Sequence, residues 1–213
     1  MARTADPTDI PRRLTDAGYA LFNEAGYNAT GIAQITDRAG VPKGSFYNHF
    51  DSKEAFAAAI LRHYAEQVDA AWLSAVQTAR HAPSASPLAT IEHLFTTFAR
   101  HHASKQCQGC LVGNFAGEIV RASALCQQAI TQIQADWQQR LAELIAQAQH
   151  AGQARTDLDA LTLSSLFWDT WEGALLRAKI AGDIAPLQKT LRLLIDKVLA
   201  APCADDRATR PTR

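Results

Sequence analysis

The residues best equipped for chemistry in this 213-residue chain sit in two places. The first is Lys43-Gly44-Ser45-Phe46-Tyr47-Asn48-His49-Phe50, followed by Lys53, with Thr30 a short way upstream. Hydroxyls, an amide, an imidazole and two ammonium groups crowd a stretch that also carries three aromatic rings. Such a set suits hydrogen bonding to phosphates and base edges rather than bond breaking. The second is Cys107-Gln108-Gly109-Cys110, with Asn114 just beyond and Trp137, Trp168, Trp171, Glu172, Arg177 and Lys179 further along. A thiol, indole rings and paired charges can bind a small molecule or react with one.

The two cysteines admit several readings. Zinc needs four well-spaced ligands, and His101, His102 and Cys126 fit no zinc spacing, so neither a metal nor any other cofactor is expected. Helical peroxide-reducing enzymes carry a histidine four residues after the second cysteine of Cys-x-x-Cys. Asn114 stands there instead, and the proton shuttle is missing. A helical Cys-x-x-Cys thiol redox protein stays as the alternative reading, with a Cys107–Cys110 disulfide open. Gly109 precedes an expected helix start. A thiolate at Cys110 is then stabilised by unpaired backbone amides, although a small buried apolar role is also open to it.

Composition excludes other classes. Lys plus Arg and Asp plus Glu both number 21, giving a net charge of zero and a pI near 7.0. Residues 1–55 carry Arg3, Arg12, Arg13, Arg38, Lys43 and Lys53 against seven acids. Bulk charge therefore gives no nucleic-acid footprint, and any such role must rest on where the charges sit. The longest strongly apolar run, Ala55 to Leu61, is far too short to span a bilayer. Four cysteines cannot staple a chain of this length. The opening Met-Ala-Arg-Thr-Ala-Asp has no apolar core of a signal peptide, so a cytoplasmic protein is expected.

The elements that position these residues read as all-α, with about nine helices. No proline falls between Pro87 and Pro186, and Val/Ile/Thr alternation is absent. Helix 1 is expected from about Ile10 to Ala25, ended by Gly26-Tyr27. Thr30 is placed to cap a short helix bearing Ile32, Ile35 and Ala39. Gly40-Val41 turns the chain, and Pro42 opens a second short helix. Two short helices joined by a glycine turn form a helix-turn-helix, whose second helix can enter a major groove. Asp51 with Glu54, or Ser52 alone, can cap a helix over about 53–79. Others are expected from Pro87 to about Ala103, Ser123 to Ala151, Leu158 to Ala181 and Pro186 to Ala200. The helix containing Phe167 and Trp171 is apolar around most of its circumference, which predicts a homodimer through the last two helices. The expected division is 1–52, a helix-turn-helix domain; 53–200, an effector-binding and dimerisation domain; and 201–213, a disordered polar tail.

Gly26-Tyr27, Thr30, Ile32, Ile35, Ala39-Gly40-Val41, Lys43 through Phe50 and Ser52-Lys53-Glu54-Ala55-Phe56 resemble, without interruption, the tetracycline-repressor (TetR) family of bacterial transcription regulators. Further on, residues 109–114 with Glu118, Asp136-Trp137-Gln138 and residues 171–179 look like one subgroup. It contains acrylate-responsive repressors and repressors of N-ethylmaleimide-type reductases. The resemblance implies a non-enzymatic repressor bound to palindromic double-stranded operator DNA. Thr30, Tyr47, His49 and Lys53 would grip phosphates, Lys43, Ser45 and Asn48 would read bases, and Gly44 would allow close approach. It also implies a small effector, an unsaturated acid or an electrophile. Cys110 would react with it, with Lys179 lowering the thiol pKa. Alternatively, Asn114, Trp137, Trp168, Trp171 and Glu172 would enclose it while Arg177 or Lys179 paired a carboxylate.

Overall fold

The computed structural model describes residues 9–83, 85–105 and 107–201, and they form helices throughout. In order these are α1 (Ile10–Ala25), α2 (Ile32–Ala39), α3 (Lys43–Tyr47), α4 (Lys53–Arg80), α5 (Pro87–Ser104), α6 (Leu111–Glu118), α7 (Ala124–His150), α8 (Ala160–Ala181) and α9 (Ala185–Leu193). A π-helical turn, Leu194–Leu199, continues α9. Among the described residues the only β pairing is an isolated bridge between Ala154 and Ala200.

Local chemistry accounts for most boundaries. Ser52, rather than Asp51 with Glu54, caps α4, its hydroxyl accepting from the Ala55 N–H at 3.0 Å. Ser86 and Asp159 cap α5 and α8 in the same way. Gly40 and Gly182 end α2 and α8 in the left-handed conformation that glycine adopts without strain. One boundary departs from expectation. The final helix does not run evenly from Pro186 to Ala200 but widens after Leu193, where the Ala200 N–H reaches back five residues to Ile195. Leu199 accepts from Arg155 and Ala201 donates to Gln153, so this last turn is anchored by the strand-like bridge. These partners are remote in sequence, and periodicity carries no trace of them. The polar tail expected from 201 lies, from residue 202 on, outside the described residues.

The chain divides into two compact units, and the division differs from the expected boundary at 52/53. One unit takes the described residues through Val68 together with Cys110–Gln134; the other takes Asp69–Gly109 and the described residues from Ala135 on. The helix-turn-helix thus shares a unit with the first half of α4, with α6 and with the start of α7.

In this first unit Leu14, Ile35, Phe46, Phe56, Ile60 and Leu61 are wholly buried. Phe56 meets the edges of Phe46 and Phe50 at centroid separations of 5.1 and 4.7 Å. Helix α6 enters the same core through Phe115, which packs T-shaped on Phe22 at 5.2 Å. The second unit is built around Phe95, which touches Phe167 at 4.4 Å and Trp171 at 5.0 Å. Aromatic pairs of this kind add roughly 0.5–1.5 kcal/mol each beyond the area they bury.

Candidate nucleic-acid interface and thiol segment

Helix α3 is short, and one residue fixes it. Phe46 is fully buried, while Lys43, Gly44, Tyr47, Asn48 and His49 are exposed and Ser45 is half-exposed. Tyr47 keeps 55% of its surface exposed although its ring meets the edge of Phe46 at 5.5 Å. A large aromatic left in water by a helix that is otherwise well anchored suits a partner surface. Gly44 has no internal reason to be glycine: a Cβ placed there meets no atom within 4 Å. Exposed Ala33 and Gln34 of α2 complete the polar surface of the helix pair.

The arginines nearby are engaged within the protein. Arg38 forms a two-pronged ion pair with Glu24 at 2.6 and 2.7 Å. Arg13 donates to the carbonyls of Ala39 and Gly40, closing the C-terminal end of α2. Arg12 pairs with Asp9. Arg3 lies outside the described residues. The formal charge balance of this region therefore understates how selectively it presents Lys43 to solvent.

Thr30 behaves otherwise than expected. It is buried, and its hydroxyl donates to the Gly26 carbonyl at 2.7 Å. Gly31, not Thr30, is the N-cap of α2, and the Gly31 N–H donates to the Gln34 side chain at 2.6 Å. The Thr30 hydroxyl is thus spent on closing the α1–α2 turn rather than on capping α2. Lys53 also has an internal partner. Its ammonium donates to the Tyr27 carbonyl at 2.6 Å and lies 3.9 Å over the Tyr27 ring. Partial burial pulls the Lys53 pKa down, while the charges of Glu54 and Glu118 push it back up. Tyr27 itself is buried, and its phenol is pushed up to about 12 by desolvation first and by Glu54 next.

The thiol segment fits its expected place in part. Cys110 is the N-cap of α6, as the glycine before it suggests, and it is buried. Its carbonyl accepts from the Asn114 N–H at 2.9 Å, the first bond of the helix. Burial raises the phenol pKa of Tyr19 on α1, a hydrogen bond from Asn23 lowers it, and the neighbouring Cys110 adds a smaller rise. Cys107 has φ +55°, the one described non-glycine residue in the left-handed region. Cys107, Cys110 and Cys126 are all buried thiols.

Of the tryptophans expected around an effector, Trp137 and Trp171 are buried in the second unit and Trp168 is half-buried. Trp171 is 1% exposed and Trp137 5%. Trp137 stacks on Trp168 at 5.6 Å and donates its indole N–H to Asp69 at 3.3 Å. Asp69 also pairs with Arg140, and Trp168 donates to the Trp137 carbonyl at 3.2 Å. On α8, Glu172 is half-buried while Arg177 and Lys179 are exposed. Two clefts of about 180 and 280 Å³ are lined by other residues, Arg80, Ser86 and Leu144 among the first set and Glu92 and His93 among the second. No local pattern in the sequence marks Tyr19 or Asp69, and Glu118 enters the subgroup resemblance without a role attached. For Glu118 a hint existed, since a carboxylate at the last position of a helix opposes the dipole and requires compensation.

Comparison with known proteins agrees with this geometry. Residues 14–60 match the description "Bacterial regulatory proteins, tetR family", and residues 87–194 match "Tetracyclin repressor-like, C-terminal domain". The HTH-type transcriptional repressor DhaR of Mycobacterium sp. (strain GP1) is 31% identical over 192 residues, 90% of this chain and 93% of that protein. The transcriptional regulator AcuR of Cereibacter sphaeroides is 35% identical over 185 residues, covering 84% and 80%. Among solved structures, a regulatory protein TetR from Rhodobacter sphaeroides superposes with a TM-score of 0.79 at 30% identity, covering 90% of this chain and all of that one. The reduced form of E. coli NemR shares the fold, with a TM-score of 0.75 at 24% identity over 92% of this chain and all of that one.

Proposed function

The chain belongs to the tetR family of bacterial regulatory proteins, a DNA-binding transcriptional repressor rather than an enzyme, and from that premise we propose how it reads DNA and what releases it. The observation that carries the reading is α3: buried Phe46 holds the helix while Lys43, Gly44, Tyr47, Asn48 and His49 stand exposed. Lys43, Ser45 and Asn48 read base edges in the major groove of a palindromic operator. Tyr47, His49 and Lys53 contact phosphates, and Gly44 lets the backbone approach. Thr30 supports them from inside.

Two-fold DNA sites call for a two-fold protein. On α8 and α9, Leu161, Leu166, Leu176, Ile180 and Leu193 are 49%, 46%, 60%, 78% and 52% exposed. Apolar rows of this extent support a homodimer through these helices. The protein acts where its DNA is, in the cytoplasm.

The effector is an α,β-unsaturated acid or another small electrophile, and Cys110 is its target. Cys110 Sγ adds as thiolate to the β-carbon of the activated alkene, the C=C π bond breaks, and the α-carbon takes a proton from water. No oxidant or reductant is required. DhaR and AcuR are named as transcriptional regulators, which lends no support to the thiol redox alternative.

A gel shift with DNA upstream of the protein's own gene, with and without N-ethylmaleimide or acrylate, tests this on wild type and Cys110→Ser. The reading expects N-ethylmaleimide to release wild type and to leave Cys110→Ser bound. Release of both proteins by acrylate, reversed on dialysis, would instead make the effector a reversible ligand, with Arg177 or Lys179 as its carboxylate partner.

A further inference from the structure

The turn between α1 and α2 is held by three side chains from three parts of the chain. Thr30 donates to the Gly26 carbonyl at 2.7 Å, and Lys53 at the start of α4 donates to the Tyr27 carbonyl at 2.6 Å. The third is Glu118, the last residue of α6, whose carboxylate accepts from the Asn28 N–H at 2.8 Å across 90 residues of sequence. Gly26 makes room for it. Its φ is +81°, and a Cβ there would lie 2.4 Å from the Glu118 carboxylate oxygen. Any side chain at 26 would therefore strain the backbone and push the carboxylate off its seat.

Glu118 sits in an otherwise unfavourable place. A negative charge at the C-terminal end of a helix is repelled by the unpaired carbonyls there. The Asn28 N–H compensates, and so does Lys53, whose ammonium feels the Glu118 charge. Meanwhile Phe115, one turn earlier, packs on both Phe22 and Tyr27 at 5.2 and 5.9 Å. The eight residues of α6 thus fasten to the helix-turn-helix by an apolar contact and a polar hook, while Cys110 caps the other end.

We propose that Glu118 is a positioning residue for operator binding: by holding the Asn28 N–H it fixes the α1–α2 turn, and with it α2, in the register in which α3 meets the major groove. The inference rests on the operator-binding reading and deepens it. The segment bearing the reactive thiol ends on the hook that sets the DNA-reading helices, so a shift of α6 is felt at the turn without passing through the rest of the protein.

Three substitutions separate the hydrogen bond from the charge. E118Q keeps an acceptor oxygen at the same reach and loses the charge. E118D keeps the charge but is one methylene too short, and E118A loses both. The probes are a duplex selected by the wild-type protein from random-sequence DNA and an unrelated duplex of equal length, read by fluorescence anisotropy, with circular dichroism melting as the fold control. E118D and E118A should weaken binding to the selected duplex roughly tenfold, while E118Q stays within about twofold of wild type. Binding to the unrelated duplex should change by less than about twofold in all three, because phosphate contacts alone do not need the register. Wild-type affinity in E118D and E118A would overturn the proposal, as would an E118Q as weak as E118D. Should E118A fail to fold, the E118D–E118Q pair decides alone. A wild-type protein that selects no duplex would overturn the operator-binding reading itself, a result distinct from either.

Discussion

Helix α3 and the tryptophan cluster of the second unit attract attention in the sequence for the same reason, since both gather polar or aromatic groups able to hold a partner. The folded chain treats them in opposite ways. On α3 one aromatic is buried and the polar groups around it are left in water. In the cluster, Trp137 and Trp168 stack, their indole N–H groups are satisfied internally by Asp69 and the Trp137 carbonyl, and Trp171 is packed on Phe95. A residue is legible as functional when its own fold has no use for it. Lys43, Asn48 and Gly44 are left in solvent by their own fold, whereas Trp137 and Trp171 are packed into it.

The contrast can be broken by mutation. Trp171→Ala should cost about 3–5 kcal/mol of stability through the cavity left beside Phe95. Measured by thermal or urea unfolding, a loss under about 1 kcal/mol would show that Trp171 is not core. Asn48→Ala and Lys43→Ala should leave stability within about 0.5 kcal/mol. Each should nonetheless remove about 1–3 kcal/mol of discrimination between operator and altered sites in competition binding.

Lys53 sharpens the contrast because it belongs to both sides. Lys53→Ala should weaken binding to all DNA sequences alike and lower the salt slope of the affinity by about one. It should also cost about 1–2 kcal/mol of stability, as the Tyr27 carbonyl loses its charged donor. A loss of stability with unchanged DNA affinity would confine Lys53 to the turn. Gly44→Ala should match or exceed wild-type stability by up to about 1 kcal/mol, since alanine suits a helix better and nothing opposes its Cβ. Its operator affinity should fall all the same.

The last prediction concerns acid. His102 is half-buried, and desolvation first, with His101 second, lowers its pKa from 6.5 to about 4. A depressed folded-state pKa means that the unfolded chain binds the proton more readily. Its contribution to stability is therefore complete above pH 6.5 and is lost as pH falls through 4. Urea midpoints between these limits should fall less steeply in His102→Gln than in wild type.

Helix positions in both units were readable because apolar periodicity, proline placement and glycine stops are local signals. Ser52, Ser86, Asp159, Gly40 and Gly182 act where they stand. Thr30 stands where its hydroxyl can serve the helix ahead or the turn behind, and only the fold shows that Gly26 receives it. The join between α6 and the helix-turn-helix was hidden for a simpler reason. Glu118 and Asn28 are 90 residues apart, and no local pattern pairs a helix-terminal acid with one backbone amide. The π turn after Leu193 was hidden likewise, held by bonds to residues 153 and 155.

The most direct measurement is selection of binding sites from random-sequence DNA, sequenced in parallel for wild type and Asn48→Ala. A repressor reading DNA through α3 as a two-fold dimer predicts a palindromic motif for wild type and loss of preference at one symmetric pair of positions in the variant. The same motif at the same strength from both proteins would contradict that account, because Asn48 would then read nothing.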